Sequence, residues 1–164
     1  MDINLTKAEA EHLKAVLTKI SQEIEEKGGW IPFSRYMEIA LYQPNLGYYT
    51  SALEKFGRFG DFVTAPEISP FFGQTIVNTI LPVLDKLKTH GHSTRVIEIG
   101  AGTGQLAKTI LLDLHRRGFT LDEYHIIDVS PNLIERQHEL LFDVCQSHGI
   151  QTRCQWHSEF LPSF

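Results

Sequence analysis

Three glycines two positions apart, Gly100, Gly102 and Gly104, follow directly on the apolar run Arg95-Val96-Ile97-Glu98-Ile99, and an acid, Glu98, stands two positions before the first of them. Glycine suits places where the chain must turn sharply and where a ligand must touch backbone. From Gln105 to Arg117 the residues Leu106, Ile110, Leu111 and Leu114 recur at helical spacing, with Gly118 as the stop. A helix that starts on such a loop points N–H groups and the positive end of its dipole at whatever rests on the glycines. The chemistry this suits is the holding of a small adenosine-containing cofactor. A second apolar run, Tyr124-His125-Ile126-Ile127-Asp128, ends on a carboxylate that could receive two hydrogen bonds from a ribose.

Spacing narrows the cofactor. A dinucleotide fingerprint places glycines at relative positions of about 0, 2 and 5, and the fifth position after Gly100 is Gln105. The nicotinamide reading therefore weakens. The competing bland reading is a tight strand-to-helix turn at the glycines, with Asp128 merely leading a helix.

The elements that position these residues alternate along the second part of the chain. A strand is expected at Arg95–Ile99, covered on both faces, then a helix at Gln105–Arg117, a strand at Tyr124–Val129, a helix at Pro131–His148 and a strand near Gln151–Trp156. Such alternation predicts an α/β fold with a parallel sheet and flanking helices. Upstream, Thr6-x-x-Glu9 is a capping-box signature before Leu13, Val16, Leu17, Ile20 and Ile24, an amphipathic helix ended by Gly28-Gly29. A short helix is expected over Arg35–Tyr42, capped by Ser34 and stopped by Pro44, and another from Ser69-Pro70 through Phe71, Ile76, Ile80 and Leu84. The division expected is a helical segment over 1–90, including the glycine- and aromatic-rich run Phe56 to Phe62, and the first half of a cofactor-binding domain over 91–164.

Of 164 residues, 42% are hydrophobic and 21% charged, enough for a packed core. The net charge of −5 and the scattered Lys and Arg argue against nucleic acid as a partner. Cys145 and Cys154 do not stand in a Cys-x-x-Cys pair and the chain opens without a basic-then-apolar leader, from which a reducing cytoplasm is expected; no run is long and apolar enough for a membrane span. His90 and His92 lack a neighbouring carboxylate or cysteine, so no metal site is expected. The other histidines and Trp30 and Trp156 read as surface or packing residues.

The upstream half carries a resemblance. The runs Phe33-Ser34-Arg35-Tyr36-Met37, Leu41-Tyr42-Gln43-Pro44, Gly47-Tyr48-Tyr49 and Gly60-Asp61-Phe62-Val63-Thr64-Ala65-Pro66-Glu67-Ile68-Ser69-Pro70, with the glycine loop, closely resemble the MidA-like family of class I S-adenosylmethionine-dependent methyltransferases. That family includes a mitochondrial protein that helps to assemble respiratory complex I by methylating an arginine. The resemblance implies a partial Rossmann-like fold and S-adenosylmethionine as cofactor. The glycine loop would approach its methionine part, with Glu98, Gly100, Ala101, Gly102, Gly104 and Gln105 as cofactor-binding residues, Asp128 would hold the ribose and Val129 would border the adenine. The segment from Asp61 to Ser69 would fold over the pocket, Thr64 offering a hydroxyl and Glu67 a carboxylate to receive the cofactor's ammonium or to sit near its sulfonium; the alternative is that Asp61 and Glu67 only cap turns and the helix that follows.

Members of the family are about twice this length and continue past the point where this sequence stops at Leu161-Pro162-Ser163-Phe164. The resemblance therefore implies that this is the N-terminal portion, with the C-terminal half of the fold absent. Catalytic residues would lie beyond Phe164, and none is assigned here. The first strand would keep an unpaired apolar edge, through which the chain is expected to self-associate. The implied partner is a protein substrate, a respiratory complex I subunit among the candidates. The rival expectation is a cofactor-binding or assembly module without turnover.

Overall fold

The computed structural model describes residues 5–51 and 63–159. The aromatic-rich run Phe56 to Phe62, Asp61 within it, and the last residues Leu161 to Phe164 lie outside the described residues. The chain falls into two compact units, residues 1–53 and 54–164.

The first unit holds α1 (Lys7–Glu26) and α2 (Phe33–Tyr42). The expected capping box opens α1: the Thr6 amide donates to Glu9 Oε2 at 2.7 Å and the Glu9 amide donates to Thr6 Oγ1 at 3.3 Å. Along the apolar stripe Ile20 is buried, while Leu13 and Leu17 stay exposed. The cap expected at Ser34 is not formed. Pro32 takes the cap position in extended conformation, its carbonyl accepting from the amides of Arg35 and Tyr36 at 2.9 and 3.1 Å, so Ser34 falls inside the first turn. Buried Glu23 of α1 receives Arg35 of α2 through both carboxylate oxygens, Nη2 donating at 2.9 Å. That fork of charge-assisted bonds joins the two helices and holds the Glu23 carboxyl below its ordinary range.

The second unit contains α3 (Ala65–Ile68), α4 (Phe71–Thr89), β1 (Arg95–Ile99), α5 (Gln105–Arg116), β2 (Glu123–Ile127), α6 (Pro131–His148) and β3 (Arg153–His157). Both strand pairs are parallel, in the order β1-β2-β3, with Ile99 opposite Ile127 and Ile127 opposite His157. At the amino ends of β1 and β2 the Thr94 amide and hydroxyl both donate to Asp122 Oδ2 at 2.8 Å, and the Asp122 amide donates back to Thr94 Oγ1 at 3.1 Å. Central β2 is buried along its whole length, and its Tyr124 and Ile126 pack with Val77 and Leu84 of α4, Ile110, Leu111 and Leu114 of α5, and Leu141 of α6. Helices α4 and α5 approach closely because position 73 is glycine: a Cβ there would lie 2.7 Å from Thr109 Cγ2.

Several expectations shift here. Helix α4 packs on α5 and so belongs to the compact unit of the sheet, although sequence alone assigns it to the segment 1–90. Ser69 and Pro70 each sit one place earlier than expected relative to the helix, with Ser69 Oγ accepting from the Phe71 amide at 3.2 Å. Strand β1 is not covered on both faces by the described residues: Val96 and Glu98 turn toward the helical layer, while Ile97 and Ile99 are 40% and 67% exposed. His125 is buried, with Nδ1 2.9 Å from His157 Nε2 and Nε2 3.1 Å from Glu123 Oε2.

Candidate cofactor site

Parallel strands end on one side of their sheet, and open α/β sheets hold ligands beyond those carboxyl ends. Here the ladder runs one residue past each strand. The Gly100 amide donates to the Ile127 carbonyl at 2.8 Å, and the Asp128 amide donates to the His157 carbonyl at 3.0 Å. Those two bonds bring the glycine loop after β1 beside the carboxylate that closes β2.

Within the loop the three glycines have φ of +68°, +55° and +85°, a region that side-chain-bearing residues rarely adopt. Their surroundings differ. A Cβ on Gly100 or Gly102 would meet nothing within 4 Å among the described residues, whereas one on Gly104 would reach Gln137 Cγ and Leu140 Cδ2 of α6 at 3.4 Å. The first two glycines thus border open space, and the third admits α6. Gly104 is also the N-cap of α5 and supplies no side-chain oxygen, so the amides of the first turn have no side-chain cap.

Two carboxylates face this loop from the helical side of the sheet. Asp128, 8% exposed, accepts the Ser130 amide on Oδ1 at 3.1 Å and Gln137 Nε2 on Oδ2 at 2.9 Å. A carboxylate has about four acceptor directions, so two remain for a ligand. Glu98 Oε2 accepts the buried Tyr124 hydroxyl at 2.7 Å. Burial pushes the Glu98 carboxyl up, the Tyr124 bond pulls it part of the way back, and the charge of Asp128 adds to the rise. Burial first, and then Glu98, hold the Tyr124 phenol well above its ordinary value.

The remaining expected residues divide. Glu67 of α3 receives the Thr103 hydroxyl on Oε1, which ties α3 to the glycine loop. Thr64 caps α3 by position only, exposed and without a side-chain cap bond. Ala101 turns its methyl into the core. Gln105 lines, with Thr103, Arg136 and Glu139, a shallow groove of about 640 Å³ along α6. Val129, 51% exposed, follows Asp128 at the edge of the site. Sequence reasoning missed Thr103 and Gln137. A hydroxyl in the middle of the glycine loop marked the first. The second is a polar residue in register with Leu141 and Val144 on the buried face of α6. The groups gathered here are acceptors for hydroxyl and ammonium donors, beside open backbone and a helix N-terminus: a binding set.

Comparison with known proteins gives the family. Residues 75–163 match the model of a family described as "Putative S-adenosyl-L-methionine-dependent methyltransferase". A relative from Drosophila melanogaster, the mitochondrial protein arginine methyltransferase NDUFAF7 homolog, is 35% identical over 123 residues, 73% of this chain and 26% of its own. The mitochondrial protein arginine methyltransferase NDUFAF7 of Danio rerio is 33% identical over 134 residues, 78% of this chain and 31% of its own. Among solved structures, a Burkholderia thailandensis protein crystallised with S-adenosyl-homocysteine superposes with a TM-score of 0.83 at 41% identity, over 99% of this chain and 42% of that one. The chain thus spans about a quarter to a third of the length of these curated relatives and less than half of that solved chain.

Proposed function

The chain belongs to this family of S-adenosylmethionine-dependent methyltransferases, and from that premise we propose that its loop 100–104, Glu98 and Asp128 hold the methyl donor of an enzyme that methylates arginine in a protein substrate. The observation that carries the reading is the pairing of the space that the described residues leave open over Gly100 and Gly102 with a buried carboxylate, Asp128, beside it. When bound, S-adenosylmethionine would supply a methyl group on a sulfonium for in-line transfer to a nucleophile.

What this chain does for that transfer is binding and orientation. The acceptor directions left on Asp128 receive the two ribose hydroxyls. The backbone at Gly100 and Gly102 takes the methionine part at close approach. Glu98, on the same side of the sheet, supplies negative charge near the ammonium or the sulfonium. Glu67, held by Thr103, and Thr64 border the pocket from α3, Gln105 lies at the first turn of α5, and Val129 borders the adenine.

Arginine as the acceptor is supported by the names of the curated relatives, protein arginine methyltransferases of mitochondria. A subunit of a respiratory complex is the finer substrate we propose, on the family resemblance of the upstream motifs, and the cytoplasm is the compartment suggested by two free thiols, Cys145 and Cys154. No helix among the described residues is long and apolar enough to cross a membrane.

Isothermal titration with S-adenosylhomocysteine tests the site. Asp128→Asn keeps the volume but replaces one acceptor oxygen by a donor, and binding should weaken about ten-fold or more. Unchanged affinity would overturn the assignment. A protein that binds the donor and yet methylates no arginine peptide would instead be the cofactor-binding module without turnover.

A further inference from the structure

Gln137 of α6 is completely buried, and each polar atom of its amide has a partner. Its Nε2 donates to the Gly102 carbonyl at 2.8 Å and to Asp128 Oδ2 at 2.9 Å, while its Oε1 accepts the Trp156 indole N–H at 3.0 Å. These partners leave one possible orientation. A carbonyl and a carboxylate only accept and an indole N–H only donates, so a flipped amide would set oxygen against oxygen twice and N–H against N–H once. Trp156 is fixed in turn by His138, whose ring stacks on the indole at 3.5 Å between centroids.

We propose that Gln137 is a positioning residue for the cofactor: one buried amide locks the glycine loop to the ribose-binding carboxylate, so that both halves of the site are set before the ligand arrives. The inference rests on the cofactor reading given above and adds a residue that touches no ligand. Three physical points support it. A buried amide is stable only when fully hydrogen-bonded, so the three bonds stand or fall as a set. A trans peptide points its C=O and N–H in opposite directions. Fixing the Gly102 carbonyl toward α6 therefore aims the Thr103 amide away from α6, the orientation of a donor offered to the opposite side of the loop. Finally, the bond to Oδ2 fixes the rotation of the Asp128 carboxylate about its own axis, with the Ser130 amide on Oδ1 as the second support.

The test is titration of S-adenosylhomocysteine into the full chain and its variants, at a temperature where circular dichroism shows each one folded. Gln137→Met keeps the bulk and removes the three bonds; affinity should fall about ten-fold. Gln137→Glu puts a second carboxylate against Asp128 and the Gly102 carbonyl, and should bind more weakly still at about pH 8, recovering toward the Met variant by about pH 5.5 as the new carboxyl takes up a proton and can donate again. Asp128, Glu98 and His138 are the other ionisable groups around this amide, and the Met variant, which shares them, provides the baseline. Trp156→Phe keeps the stacked ring but leaves the buried Gln137 Oε1 without its donor, with a smaller loss of about three-fold. A residue that only fills space would lower the melting temperature and leave the affinity of the folded protein, and its pH profile, unchanged.

Wild-type affinity in all the Gln137 and Trp156 variants, with Asp128→Asn weakened, would overturn this role and leave the cofactor site standing. Wild-type affinity in Asp128→Asn would overturn the site itself, and this inference with it.

Discussion

Glu98 and Asp128 are carboxylates on neighbouring strand ends, but they are held differently. Asp128 is supported by two donors, the Ser130 amide and Gln137. Glu98 has the Tyr124 hydroxyl and otherwise faces burial and a like charge, which raise its pKa. A carboxyl raised in the folded state favours the protonated form there. Its charged form therefore costs stability above the folded pKa, and that cost is relieved as pH falls toward the unfolded value of about 4.3. Glu98→Gln, which keeps an acceptor for Tyr124, should raise the melting temperature at about pH 8, and the gain should close as the pH approaches about 4. The same change should weaken S-adenosylhomocysteine binding if the charge serves the ligand. Thermal melts across pH, beside titration calorimetry, read the two opposed effects.

At the scale of elements, the contact of α4 with α5 turns on Gly73. Helix propensity alone makes glycine-to-alanine in a helix interior stabilising by about 1 kcal/mol. The added methyl would lie 2.7 Å from Thr109 Cγ2 and 2.9 Å from its Cβ, and overpacking of a fitted interface costs about 1–3 kcal/mol. Crowding should win, and Gly73→Ala should lower the denaturant midpoint; a rise would show that the two helices separate cheaply. The tie between the amino ends of β1 and β2 has a pH signature of the opposite sense to that of Glu98. The Thr94 amide, and then its hydroxyl, hold the Asp122 carboxyl below its ordinary value. Its contribution is present above the unfolded value and lost as pH falls through the folded one. Asp122→Asn should therefore flatten the acid limb of the stability curve below about pH 4, as measured by urea unfolding at several pH values.

For the molecule as a whole, the uneven cover of the sheet matters most. Strand β2 is buried throughout, while β1 pairs only with β2 among the described residues and turns Ile97 and Ile99 outward. An uncovered apolar edge strand is a template for pairing with further polypeptide. The 164-residue chain by itself should therefore associate with rising concentration in sedimentation velocity runs, and Ile97→Lys should shift it toward monomer. A monodisperse, cooperatively melting wild-type monomer would count against this.

The sequence by itself determined the elements and the chemistry of the loop. The extent of β1 and of α6 (Pro131–His148), the Thr6 capping box and the left-handed glycines follow from periodicity and from φ preferences, which act within a few residues. Only the tertiary structure decided which glycine serves which purpose, since Gly104 is set apart by Gln137 and Leu140 of α6, more than thirty positions on in sequence. It also decided that α4 belongs with the sheet, that the described residues leave Ile97 and Ile99 of β1 exposed, and that Gln137 links the loop to Asp128 across 35 and 9 positions of chain. Bonds of that kind leave no local pattern: a glutamine on an amphipathic helix reads as solvent-facing until packing turns it inward, and burial then obliges its amide to find all of its partners.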